Sequence, residues 1–170
     1  MIINNVNELT AEGMDQLFNP FHGIEFIYRY GLIFLDLAHL KSFEELTPGK
    51  LRVDIEWVPT VYMLTMTHEM RKKTVHYLSP KKRDIDWYGI LSNDFSSGYI
   101  AAIYWAFGLW GGCSWGGWRD DNGKEIPKVD TISSAFSMDF KLIFIALVAQ
   151  AYRWGLQGQI PALAKVLTEK

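Results

Sequence analysis

The chain has 170 residues, the size of one ordinary domain, which typically holds about 100–150. Hydrophobic residues make up 49% and charged residues 21%, a globular balance that excludes a disordered chain, while the net charge of −2 excludes a wholly basic nucleic-acid binder. Aromatic residues reach 15%, with seven Trp, so rings must build either the core or a binding surface.

Thr10 to Phe18 opens with a capping threonine and stops before Asn19-Pro20, which predicts a short helix. Ile24 to Phe43 is apolar round most of a helical circumference and reads as a largely buried helix, with a pair of strands as the competing reading. Leu51, Val53, Ile55 and Trp57 alternate with Arg52, Asp54 and Glu56, the period of a strand covered on one face. Pro59 fits the first turn of a helix running to about Lys73. Thr74 to Leu78 predicts a short strand closed by Ser79-Pro80, and Ser92 or Asn93 is placed to cap a helix reaching about Trp110.

Asp121-Asn122-Gly123-Lys124 is the strongest local signal. Asn-Gly suits a two-residue hairpin turn that needs positive φ, with Trp118 and Ile126 on its arms. Ser133 or Ser134 to Trp154 reads as a helix, Gly155 to Gln159 as a break, and Pro161 to Leu167 as a last helix. No repeat or low-complexity linker divides residues 1–170, so the expectation is one α+β domain, about half helix, with a small antiparallel sheet.

Cys113 stands alone, which excludes an intrachain disulfide and a thiolate metal cluster and fits a reducing compartment. Met1 to Val6 lacks the basic and apolar regions of a secretion signal, so the expected location is cytoplasmic. Phe95 to Trp118 is uncharged and long enough to span a bilayer, but Gly108, Gly111, Gly112, Gly116 and Gly117 weaken its second half. Leu142 to Tyr152 is too short, so no membrane span is expected.

Candidate chemistry is sparse. Cys113-Ser114-Trp115 resembles, in a few letters, the cysteine neighbourhood of papain-like peptidases, which take a His base from later in the chain. Here His22, His39, His68 and His76 all precede it. His68-Glu69 lacks the second histidine of the zinc-protease helix, because position 72 is Lys72. Asp36 and His39 share a helix face at i, i+3, a spacing used in metal bundles, but nothing brings further carboxylates near. The glycines of 108–117 match neither phosphate-loop spacing, so neither metal nor cofactor is expected.

Charge is unevenly distributed. Residues 1–70 carry ten acids against four bases, whereas 71–83 hold Arg71, Lys72, Lys73, Lys81, Lys82 and Arg83 with no acid. With a strand between the two triplets, the cations would form one local positive field. The favoured reading is therefore a non-enzymatic protein-binding module, a small inhibitor or immunity-type protein that masks a partner such as a basic toxin or nuclease. Its expected contact residues are the six cations together with Asp54, Glu56, Trp115 and Trp118. The alternatives are a thiol hydrolase or transferase using Cys113 with His68 or His76, a phage or bacterial assembly component, and a nucleic-acid contact through 71–83.

Overall fold

The structure, a computed structural model, describes residues 26–111, 118–119, 125–126 and 135–162. The short helix expected at Thr10–Phe18 and most of Pro161–Leu167 lie outside these residues. The described chain is mainly helical, with small two-stranded antiparallel sheets, which is the α+β class.

The segment from Ile24 to Phe43 is divided between the two readings made for it. Strands β1 (Ile27–Arg29) and β2 (Leu32–Phe34) form a hairpin, and helix α1 (Leu37–Leu46) follows. Tyr30 and Gly31 join the strands with φ of 57° and 73°, the paired positive values of a two-residue turn that suits strand twist. Asp36 starts the helix by accepting the His39 amide at 2.6 Å. The stretch is therefore part strand and the helix begins later than its apolar pattern suggested; of the described residues 26–43 only Leu32, Ile33, Phe34, His39, Leu40 and Phe43 are buried, so it is not the largely buried element expected.

The strand expected at Leu51–Trp57 is not formed. Gly49–Val53 is a 3-10 turn, and Val53 and Ile55 are 75% and 56% exposed, so the alternation does not mark a covered face. Asp54 decides the local geometry: its carboxylate accepts the amides of Glu56 at 3.0 Å and Trp57 at 2.8 Å. Those amides have no partner inside the helix that follows, α2 (Trp57–Leu64), so the carboxylate caps it. Pro59 falls in the first turn as expected, where its missing N–H costs nothing.

Every residue of α2 is buried, and the helix forms the centre of the fold. It ends well before Lys73. Thr65 Oγ1 donates to Val61 O at 2.8 Å, Thr74 Oγ1 to Leu64 O at 2.7 Å, and Arg71 Nη1 to Thr65 O at 2.9 Å. These bonds satisfy the carbonyls at a helix end that has no access to water. Thr67 then accepts the Met70 amide and caps α3 (His68–Thr74).

The strand expected at Thr74–Leu78 is also replaced, by the end of α3 and a 3-10 turn at Val75–Tyr77. Only Leu78–Ser79 is extended (β3), pairing with β4 (Asp84–Ile85) around the tip Pro80–Arg83. Ser92 and Asn93 do not start the long helix. Their side chains donate to Gly89 O, both at 2.8 Å, and so close the short helix α4 (Trp87–Leu91). The long helix α5 runs Ser97–Gly111.

Strands β5 (Trp118–Arg119) and β6 (Glu125–Ile126) confirm the hairpin, with Trp118 opposite Ile126. Arg119 pairs with Glu125, which leaves 120–124, including Asn122-Gly123, between the arms. A two-residue turn at Asn122-Gly123 would instead set Arg119 opposite Ile126, one step away. Helix α6 (Phe140–Arg153) is capped by Asp139, which accepts the Leu142 amide at 2.9 Å, so it starts later than Ser133 or Ser134.

The core lies where α2, α5 and α6 pack against one another, with β2 against α6 and α1 against α2. Trp57, Tyr62, Phe34 and Phe43 are its largest fully buried side chains, and Trp105 and Trp87 join them. Part of the aromatic excess thus builds the core, while among the described residues Tyr28, Phe136, Phe140 and Trp154 stay exposed.

Candidate functional site

The six cations of 71–83 separate into two groups. Arg71 donates to Thr65 O and Met66 O and lies 3.7 Å from Asp36, with only 13% of its side chain exposed. Lys73 pairs with Glu69 at 2.8 Å, donates to Asp94 O and stands 4.8 Å from the Phe95 ring centre. Both hold α3 in place. Lys72, Lys81 and Lys82 are exposed and form no ion pair with any described residue. The strand expected at Thr74–Leu78 does not join the two triplets: one lies on α3 and the other at the tip of the β3–β4 hairpin, with a 3-10 turn and the two-residue β3 between them.

Arg83, at that tip with φ of 51°, is the most heavily engaged cation. Its guanidinium meets Asp54 through Nε at 2.6 Å and Nη2 at 3.0 Å, and Nη2 also reaches Glu56 at 2.7 Å. Arg153, from the end of α6, approaches Glu56 at 3.3 Å, and the Arg83 guanidinium lies 4.7 Å from the Trp110 ring centre. Residues expected to face a partner with opposite charges are thus joined to one another. The Arg83 hydrogen bond is the largest influence on Asp54, outweighing its partial burial, and with the Glu56 and Trp57 amides it holds the carboxyl down at about 2. The same bonds raise Arg83 above the usual arginine value.

The cluster fastens the hairpin to the start of α2 and the end of α6. Its planar fork is specific to arginine, because a lysine presents one point charge to two carboxylates. Arg83 is 40% exposed and Asp54 17%, so solvent screens the pair. In a double-mutant cycle of Arg83→Met and Asp54→Asn, the expected coupling is about 1 kcal/mol at low salt, and smaller in 0.5 M salt. Coupling within error of zero in urea titrations at low salt would remove the cluster from the stability of the fold.

The histidines divide similarly. His68 begins α3 and His76 lies 4.0 Å from the Tyr77 ring centre; both are exposed. Cys113 and Trp115 lie outside the described residues, and Trp118 is placed by its backbone alone. His39 is fully buried: the Leu35 amide donates to Nδ1 at 3.4 Å, and Nε2 lies 2.9 Å from Tyr62 O. Because Nδ1 accepts, Nε2 carries the proton and donates. Burial is the dominant influence and lowers the imidazole to about 3, against the raising effects of Tyr62 O and Asp36. The i, i+3 pair of Asp36 and His39 serves as a helix cap, and no three His, Cys, Asp or Glu side chains converge among the described residues.

Sequence reasoning missed the outward side of α6. Phe140 is 48% exposed, Leu147 47% and Trp154, at the helix end, 70%. The signal was present in Leu142–Tyr152, where Gln150 alone interrupts an apolar run although one side of a surface helix is ordinarily polar. No helix among the described residues is long and apolar enough to cross a membrane. No protein-family model, curated protein or solved structure matches the chain.

Proposed function

We propose that this chain is a non-enzymatic protein-binding module of the inhibitor or immunity type. It would act in the cytoplasm and present Lys72, Lys81 and Lys82 to an acidic face of its partner. One observation carries the reading. These three lysines are exposed without intramolecular partners among the described residues, on backbone held by Arg71, Lys73 and Arg83. Such an edge is ordered before contact, so association need not fix the backbone that bears the charge. Free cations on an otherwise acidic chain also speed encounter with an acidic surface and select against basic ones.

The charge pattern alone had suggested a basic toxin or nuclease as partner. Two of the acids behind that expectation, Asp54 and Glu56, are neutralised by Arg83 and Arg153, so the proposal moves to the lysines. A phosphate backbone is the other anion that lysines meet. The arginines that would grip phosphate in a bidentate manner, Arg71 and Arg83, are engaged within the fold, which favours a protein.

The test combines Lys72→Glu, Lys81→Glu and Lys82→Glu and measures association with the partner that co-purifies from the native host. The expected result is at least a tenfold loss, mostly in the association rate and steepest at low salt, with the melting temperature unchanged. Unaltered association would overturn the reading. Loss of retention on duplex nucleic acid, with protein association intact, would put a nucleic-acid contact in its place. Cys113→Ser is expected to leave association unchanged, whereas a thiol enzyme would lose its activity.

A further inference from the structure

The alternation from Val53 to Glu56 is turned inside out. Asp54 and Glu56, which water would hydrate well, are held by guanidinium groups. Arg83 meets them at 2.6 and 2.7 Å, and Arg153 approaches Glu56 at 3.3 Å. Val53 and Ile55, whose burial water favours, are the side chains left outside. A single exposed aliphatic residue is ordinary on any surface. Here both aliphatic members of an alternating run are exposed while both acids are engaged. The clasp between the hairpin and α2 explains the acids. It places no demand on positions 53 and 55, where polar residues would serve the fold equally well.

Lysines border these two side chains. Gly49–Val53 is a 3-10 turn with three residues per turn, which sets Lys50 and Val53 on one side. Lys50 is exposed and pairs with no acid among the described residues. The grip of Arg83 on Asp54 brings the hairpin tip alongside, and the exposed Lys81 and Lys82 immediately precede Arg83 in the chain. Asp54 and Glu56 are matched by Arg83 and Arg153, so they leave these lysines uncancelled. The exposed Asp84, at the base of the tip, offsets one of the three. The local field is therefore positive.

We propose that Val53 and Ile55 form the apolar centre of a docking surface for an acidic segment of a protein partner, with Lys50, Lys81 and Lys82 as its charged rim. Two features of the occupant follow from this chemistry. It carries apolar side chains that cover Val53 and Ile55, and carboxylates that reach the lysines. An apolar centre inside a polar rim is the usual anatomy of a specific contact. The centre holds the bound state, whereas the rim speeds encounter. A purely anionic partner such as a phosphate backbone offers nothing to cover two aliphatic side chains. The inference rests on the reading of Lys81 and Lys82 above, and adds Lys50 and the apolar half of the recognised segment.

The test uses the full chain and three short labelled peptides. The first has a pair of leucines flanked by glutamates, the second has serine for each leucine, and the third has lysine for each glutamate. Fluorescence anisotropy at low salt is expected to show the leucine–glutamate peptide bound at least about tenfold more tightly than either of the others. Val53→Ser combined with Ile55→Ser should erase its advantage over the serine–glutamate peptide. Lys50→Glu combined with Lys81→Glu and Lys82→Glu should abolish binding of both acidic peptides. All five side chains are exposed, so both variants should keep the fold, with an unchanged circular dichroism melt as the control. Ile55→Ser alone is the milder variant and should give an intermediate loss.

Equal affinity for the two acidic peptides would overturn the apolar centre. So would a Val53→Ser, Ile55→Ser variant that binds the leucine–glutamate peptide as the wild type does. If charge reversal still abolishes binding in either case, the lysine reading survives without this inference. Binding of neither acidic peptide, or binding indifferent to charge reversal, would remove both. Retention on vesicles of phosphatidylserine and phosphatidylcholine that is lost with Val53→Ser and Ile55→Ser would give the surface to a membrane and overturn the proposal.

Discussion

Trp57→Ala is expected to lower the free energy of unfolding by about 4–5 kcal/mol, the largest single-residue effect in the fold. The side chain is fully buried at the start of α2, and truncating such a residue typically costs about 3–5 kcal/mol in lost transfer energy and residual cavity. Two further losses accompany it. The indole N–H donates to Leu46 O at 2.8 Å, and that carbonyl, at the end of α1, would be left without its partner. The ring also packs edge-on against Trp110 at 5.6 Å, the same indole that lies against Arg83. Small domains retain only about 5–15 kcal/mol in total, so the variant should be marginally folded at room temperature. Urea titration reads the effect as a lower midpoint at an unchanged slope. Trp57→Phe, which keeps a ring and loses the N–H, should cost about 1–2 kcal/mol. A loss below about 1.5 kcal/mol for Trp57→Ala would mean that α2 is not the centre of the fold.

The second large effect is a loss of stability in mild acid, set by His39. Its imidazole is held neutral in the fold, at about 3 instead of the ordinary 6.5, because burial excludes the charged form. Between those two values the unfolded chain binds a proton that the folded chain does not, so stability falls as pH is lowered. The contribution is complete above pH 6.5 and declines by at most about 1.4 kcal/mol per pH unit on the way down to about 3. Over the whole window the loss reaches about 4 kcal/mol, enough to unfold a domain of modest stability. Asp54 adds a later step with the same sign, from its ordinary 3.8 down to about 2, as its pairing with Arg83 is lost. The two steps are separable. His39→Gln can still donate to Tyr62 O and cannot titrate, so its stability should be nearly flat from pH 6.5 to 4, while the wild type slopes. Parallel slopes for the two proteins would show that the imidazole is not the group responsible.

Several elements were legible because they depend on near neighbours in the chain. Asn122-Gly123 between Trp118 and Ile126 announced a hairpin, Pro59 fell where a helix tolerates it, and the apolar run around Trp105 belonged to the core. The readings that failed had two local solutions of similar energy. The alternation from Leu51 to Trp57 describes a strand only if Val53 and Ile55 find a covering layer. Asp54 instead takes the Glu56 and Trp57 amides and starts a helix. Ser92 and Asn93 are equally able to open a helix or close one, and α4 gave them carbonyls to bind.

The candidate site shows the same division more sharply. Composition and order along the chain sufficed for the class of the fold, for the aromatic core and for the block of six cations at 71–83, since each is a property of residue type and spacing. Which of those cations remain available was decided only in three dimensions. Arg83 meets Asp54 and Glu56, 29 and 27 residues away, and Arg153 reaches Glu56 across 97. Charge follows from the letters, whereas pairing follows from which distant letters the packing of α2 and α6 brings within hydrogen-bond reach.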